Sequence, residues 1–137
     1  MIRAVLDTNV IVSALILKGP VNQLLDFWKS GKFSLVVSKH LVSEYLRVLA
    51  YPKLGLLAEE IKILVEQELF PFTIPIEVKQ IPKIITDDPS DNMFLACAAV
   101  GKCHYLVSGD RHLLSLKQYK KIPIITVQAF ISQLGSG

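Results

Sequence analysis

Cysteine is scarce in this 137-residue chain: Cys97 and Cys103 are the only two, and neither belongs to a CxxC or Cys/His metal pattern. That excludes a disulfide-stapled scaffold and a zinc module, and leaves two reduced core thiols. Long apolar runs are missing too. The longest near the start, Val10 to Leu17, has less than half the ~20 residues of a membrane-spanning helix. Asp7 and Asn9 interrupt the segment where a signal peptide keeps its hydrophobic region unbroken, so export is not expected and a cytoplasmic location is. The chain also lacks a G-x-x-x-x-G-K-S/T loop, a G-x-G-x-x-G turn after the first expected strand and any evident Ser/His/Asp triad, which removes support from nucleotide-fuelled and acyl-transfer mechanisms. No repeat, low-complexity tract or Gly/Ser linker divides it. One domain over residues 1–137 is expected.

Apolar residues are plentiful: they make up 51% of the chain, and 47 residues are Leu, Ile or Val. A chain of this length buries roughly 68% of its unfolded surface, enough for a core without staples. Fifteen Lys and Arg face twelve Asp and Glu, a mildly basic balance. The apolar excess leaves surface for a partner.

Short β-branched runs at Ile2–Leu6, Phe33–Val37, Phe72–Val78, His104–Ser108 and Pro123–Val127 alternate with helical patterns. Leu41, Val42, Tyr45, Leu46, Val48 and Leu49 mark one helix, with Ser38 as its cap; Leu57, Ile61, Leu64, Val65 and Leu69 mark another. Uninterrupted apolar strands are buried on both faces, as parallel strands covered by helices are. The expected fold class is therefore α/β, a three-layer α/β/α sandwich on a parallel sheet of about five strands. Pro75 removes a ladder donor and predicts an edge position for the third strand; Pro123 is compatible with the other edge for the fifth. Ligand sites in such sheets lie beyond the carboxyl ends of the strands.

Four acids belong to that end. Asp7 follows the first strand and Asp110 the fourth; alone, either reads equally well as a helix cap or turn residue. Asp91 lies in the first turn of a helix that Asp88 caps and Pro89 opens, on the face shared with Phe94, Leu95 and Ala98. Glu44 borders the apolar stripe of the helix after strand two, where pairing with Arg47 at i,i+3 is its ordinary role. Four carboxylates gathered at one end repel unless a cation joins them, and Mg²⁺ or Mn²⁺ is the hard ion that suits oxygen ligands. An acidic cup with incomplete protein ligation points to phosphoryl chemistry.

In the order Val5-Leu6-Asp7-Thr8-Asn9-Val10, Glu44, Asp88-Pro89-Ser90-Asp91-Asn92 and Val107-Ser108-Gly109-Asp110-Arg111, the chain resembles the PIN-domain ribonuclease family. Within that family it is similar to the VapC-like toxins of type II toxin–antitoxin systems. The resemblance implies strand order 3-2-1-4-5 and metal-dependent RNA hydrolysis to a 5′-phosphate and a 3′-hydroxyl, with Asp7, Glu44, Asp91 and Asp110 as catalytic metal ligands. It further implies that Asn9 orders the first acidic loop and Ser108 the fourth. Asp87 and Asp88 depart from the family pattern by adding acids upstream of the third, where either could be an extra ligand. Lys39, Arg47 and Arg111 are the nearest candidates for RNA phosphates, with Lys117, Lys120 and Lys121 beyond and His40 and His112 at the rim. An RNA substrate, a cognate antitoxin and a homodimer are the expected partners. Three other readings stand beside this one: a non-catalytic RNA-binding or assembly module, a standalone RNA-processing nuclease, and a phosphatase with Asp7 as nucleophile. The last is disfavoured because Asn9 stands where a second Asp belongs. If the four acids share one pocket, fifteen bases face eight acids elsewhere, so the remaining surface is more basic than the net charge suggests.

Overall fold

A computed structural model describes residues 1–84 and 89–135 of the chain. Its sheet is built from β1 (Arg3–Leu6), β2 (Ser34–Val37), β3 (Thr73–Pro75), β4 (Tyr105–Val107), β5 (Gln118–Tyr119) and β6 (Ile122–Ile125), in the order β3-β2-β1-β4-β6-β5. All neighbours are parallel except β5 and β6. The helices are α1 (Thr8–Ile16), α2 (Gln23–Lys29), α3 (Lys39–Leu49), α4 (Ala58–Ile63), α5 (Asn92–Val100), α6 (Arg111–Leu114) and α7 (Val127–Gly135). Sheet and helices make a three-layer α/β/α arrangement. Among the described residues no single helix is long and apolar enough to cross a membrane.

The central strands are apolar because both faces are covered: Ala4, Val5, Leu6, Leu35, Val36, Leu106 and Val107 are all buried. Leu41, Tyr45 and Leu49 form the buried stripe of α3 at a four-residue interval, and Ser38 caps the helix by accepting the Leu41 N–H at 3.3 Å. Phe130 of α7 packs edge-on against Phe33 and Tyr105, with ring centroids 5.0 and 5.5 Å away. Cys97 and Cys103 are buried free thiols, each pushed up to about 12 chiefly by burial. They remain uncharged, as core groups should.

Pro75 does lie on the edge strand β3, which keeps only three residues of the longer run the sequence suggests. The opposite edge departs from expectation. The expected fifth strand is β6, and outside it lies β5, joined by a two-residue turn. Lys120 and Lys121 in that turn have φ of 49° and 69°, the signature of a type I′ hairpin. The sequence hides it, because such turns ordinarily carry Asn-Gly. Moreover, the turn precedes β6, so Lys120 and Lys121 stand at the amino end of the sheet, away from the acids they were expected to surround.

The helix expected across Leu57 to Leu69 is also divided. After α4 the backbone widens into a π-helical stretch, Leu64–Leu69, and then tightens at Phe70–Phe72. The Trp28 indole N–H takes the Glu68 carbonyl at 2.8 Å, and Pro71 supplies no amide to continue the ladder. The helix after Asp110 is a single turn, Arg111–Leu114. Asp87 and the expected cap Asp88 lie outside the described residues.

Candidate active site

At the carboxyl end of β1 the chain turns sharply into α1. The Asp7 amide donates to the Val107 carbonyl at 3.0 Å, and extended backbone at Asp7 swings its carboxylate back over the first turn, where Oδ1 accepts the Val10 N–H at 2.9 Å. The capping role and a place in the site are thus held by one residue. Asp7 is only 6% exposed. Burial raises its pKa, hydrogen bonds from Ser108, Val10 and Gly109 oppose that rise, and the charge of Asp110 adds to it.

Ser108 links the two strand ends. Its fully buried hydroxyl donates to Asp7 Oδ2 and accepts the Asp110 N–H at 2.9 Å. Asp110 in turn accepts the His112 N–H at 2.7 Å and caps α6. Replacing Ser108 with Ala therefore removes the largest of the bonds holding down the Asp7 pKa. The expected result is a further rise in that pKa by carboxyl NMR titration, with a stability loss of about 1–3 kcal/mol at neutral pH.

Asp91 ends the one-turn segment Pro89–Asp91 that leads into α5, and its side chain makes no capping bond to that helix. It is 5% exposed, consistent with the inward direction its helical face predicts. Glu44 is half-buried on α3. Arg47 holds both its oxygens: Nη2 pairs with Oε1, and Nε donates to Oε2 at 3.2 Å. The same guanidinium donates to the Tyr51 hydroxyl at 2.6 Å and lies 5.5 Å from the Tyr51 ring centre.

Asp7, Glu44, Asp91 and Asp110 line one cavity, together with Thr8, Asn9, Arg47 and Tyr51. Among the described residues, no three His, Cys, Asp or Glu converge closely enough to hold an ion between them. The acids form an open, acid-lined cleft, with Glu44 turned toward Arg47. The donor set nevertheless fits a hard divalent ion, since the acids supply oxygen ligands alone. Thr8 adds to that fit: its buried hydroxyl lines the same cavity and has no hydrogen-bond partner among the described residues. Such a group calls for a polar occupant.

The remaining candidates sit around this cleft. Asn9 is exposed at its rim, while the bonds that fix Asp7 come from Val10 and Ser108. Lys39 and His40 share a neighbouring groove with Glu44 and Arg47. Arg111 is exposed at the start of α6. Three residues escaped the sequence reading as site residues: Thr8, Tyr51 and Tyr45. Tyr45 is wholly buried and its hydroxyl donates to the Leu6 carbonyl at 2.6 Å, which pins α3 to the strand end that carries Asp7. Its place in the α3 stripe reads as core packing, and only the hydroxyl hints at more.

The sequence profile of the PIN domain matches residues 3–112, most of the chain and a span that contains all four acids. The chain belongs to the PIN domain family. Solved structures share the fold. PAE2754 from Pyrobaculum aerophilum superposes with a TM-score of 0.62 at 14% identity, over 99% of this chain and 91% of that one. FitAcB from Neisseria gonorrhoeae gives 0.62 at 17% identity, over 91% and 98%. VapBC2 from Rickettsia felis, bound to a DNA fragment from its promoter, gives 0.60 at 12% over the same shares. No curated protein sequence matches the chain. At these identities the neighbours establish the fold, and the chemistry of this PIN domain must be argued from its own residues.

Proposed function

We propose that this PIN domain is a metal-dependent endoribonuclease acting as the toxin of a toxin–antitoxin pair. The observation that carries the reading is the cleft itself: acids from β1, α3, the entry to α5 and the end of β4 line one cavity at the carboxyl end of the sheet. Asp7, Asp91 and Asp110 are the groups that would draw together on Mg²⁺ or Mn²⁺, with Glu44 joining them when it leaves Arg47. Held there, such an ion would supply the positive charge that activates water and steadies the departing 3′-oxygen. Ser108 orients Asp7 and favours its ionised form, offsetting part of its burial. Arg47, released from Glu44, has its guanidinium free for a phosphate oxygen and its rim position fixed by Tyr51. Water adds to phosphorus as the bond to the 3′-oxygen breaks; one water proton ends on that oxygen, leaving a 3′-hydroxyl and a 5′-phosphate.

The likeness to FitAcB and VapBC2 supports an antitoxin as partner; a homodimer is the form proposed to meet it. Purified protein is expected to cleave single-stranded or structured RNA with Mg²⁺ or Mn²⁺ and to lose at least about a hundredfold in rate in excess chelator, recovering on metal addition. Gel analysis of end-labelled RNA checks both. Equal cleavage with and without chelator removes the metal from the reading.

A further inference from the structure

The acids occupy one end of the sheet, and the opposite end has its own charge pattern. The connections that enter the strands from the amino side include Ser30–Phe33, Gly101–His104 and the turn Lys120–Lys121, and none of these three contains an acid. They carry Lys32, Lys102, His104, Lys120 and Lys121, every one of them exposed. The sheet order sets β2, β1, β4 and β6 side by side, with Arg3 paired to Ser34, Ala4 to Tyr105 and Leu106 to Ile124. Counting back along this register brings Lys32, Lys102 and Lys120 to one level beyond the strand ends. Three strand steps separate the outer two, about 14 Å.

A second observation singles out these lysines. Among the described residues, four other than glycine have positive φ, and all four are lysines: Lys102, Lys120 and Lys121 at this end of the sheet, and Lys117, which lies further along the edge, where its carbonyl accepts the Ile124 N–H at 2.9 Å. Glycine, asparagine or aspartate suits such positions with less strain. The turn after α5 shows that space is not the reason. Gly101, at an ordinary φ of −76°, is where a side chain cannot fit, because an added Cβ would stand 2.6 Å from Val36 Cγ1; the left-handed position falls one residue later, on Lys102. At both turns the chain keeps a long cation where a small neutral residue serves the backbone better. Strain retained in this way points to a use for the charge.

We propose that the amino end of the sheet is a second nucleic-acid surface, in which Lys32, Lys102, Lys120 and Lys121 hold the phosphate backbone of a folded RNA remote from the cleft. The inference rests on the ribonuclease reading for the identity of the polyanion. It separates two tasks within one chain: the carboxyl end cuts, and the amino end recognises by charge alone. A short oligoribonucleotide meets only the first, whereas a large structured RNA meets both.

The left-handed turns provide a test that unfolding cannot confuse. The triple variant Lys102→Gly, Lys120→Asn, Lys121→Gly removes three charges and installs preferred turn residues, so its Tm is expected to rise by a few degrees. Binding of a fluorescent RNA hairpin, measured by anisotropy in chelator so that nothing is cut, is expected to weaken about tenfold near 0.15 M salt. The slope of log affinity against log salt is expected to shrink by about two. A control of equal net charge, Lys62→Gln, Lys79→Gln, Lys83→Gln, is expected to lose less than about threefold. Unchanged affinity and salt slope in the first triple, or an equal loss in the control, overturns the proposal. Cleavage of a short oligoribonucleotide with Mn²⁺ should be the same in wild type and triple. If wild type fails to cleave it, the nuclease reading fails separately from the binding result.

Discussion

Asp7→Asn is expected to lower RNA cleavage by about a thousandfold, some 4 kcal/mol of transition-state stabilisation, while the protein stays folded. The substitution keeps the shape of the side chain, so its oxygen still accepts the Val10 N–H that starts α1. What it removes is a buried charge. The sign of the stability effect follows from the pKa: the folded value of Asp7 lies above 3.8, mainly through burial, so the folded state favours the protonated acid. As pH rises from the unfolded value through the folded one, stability is lost, and above the folded pKa the full cost of the ionised carboxylate is present. Asn carries no such cost. At neutral pH the variant should therefore melt at the same temperature as wild type or slightly above it, and its melting should lose the part of the pH dependence that Asp7 supplies. Calorimetry across pH 3 to 8 checks the second statement, and a labelled-RNA assay the first. Retained cleavage by the folded variant would falsify the site assignment.

Tyr45→Ala is expected to have the largest effect on the fold, destabilising it by about 3–5 kcal/mol in denaturant titration. The ring is one of the largest side chains wholly buried in the core, and its removal leaves a void between α3 and the sheet. Tyr45→Phe isolates the hydroxyl. It keeps the ring but strands the Leu6 carbonyl at the end of β1, for an expected cost of about 1–3 kcal/mol. Because Leu6 adjoins Asp7 and Tyr45 adjoins Glu44, the lost bond also loosens the cleft. Activity in Tyr45→Phe should fall at temperatures where the protein remains folded, which a purely structural role for the tyrosine would not produce.

The elements that were legible in the sequence share a physical property: their signal is local and repeated. Unbroken apolar strands announced a covered parallel sheet, and the rule that sites lie at strand carboxyl ends brought Asp7 and Asp110 together across about a hundred residues. The face shared by Asp91, Phe94 and Leu95 gave the direction of the third acid, and the i,i+3 spacing gave the Glu44–Arg47 pair. The illegible parts depend on contacts with no local pattern. Lys120-Lys121 does not look like a type I′ turn, so β5 was hidden and two lysines were assigned to the wrong end of the sheet. Val127 reads as the end of a strand, although it opens α7, whose partners are aromatics far away in the sequence. The hydroxyls of Tyr45 and Thr8 sit in stretches whose apolar pattern speaks for packing alone.

The tie between Ser108 and Asp7 also has a meaning in time. Its partners are 101 residues apart, and the strands that bear them pair only after β4 has been made. A chain emerging from the ribosome carries Asp7 and Glu44 early, yet it lacks Asp110 and the hydroxyl that orients the first acid until that late strand closes on β1. Long-range pairing of this kind is among the later events of folding. The four-acid cleft is thus incomplete in every nascent chain that ends before Asp110, and its geometry is set only when synthesis has passed that last acid.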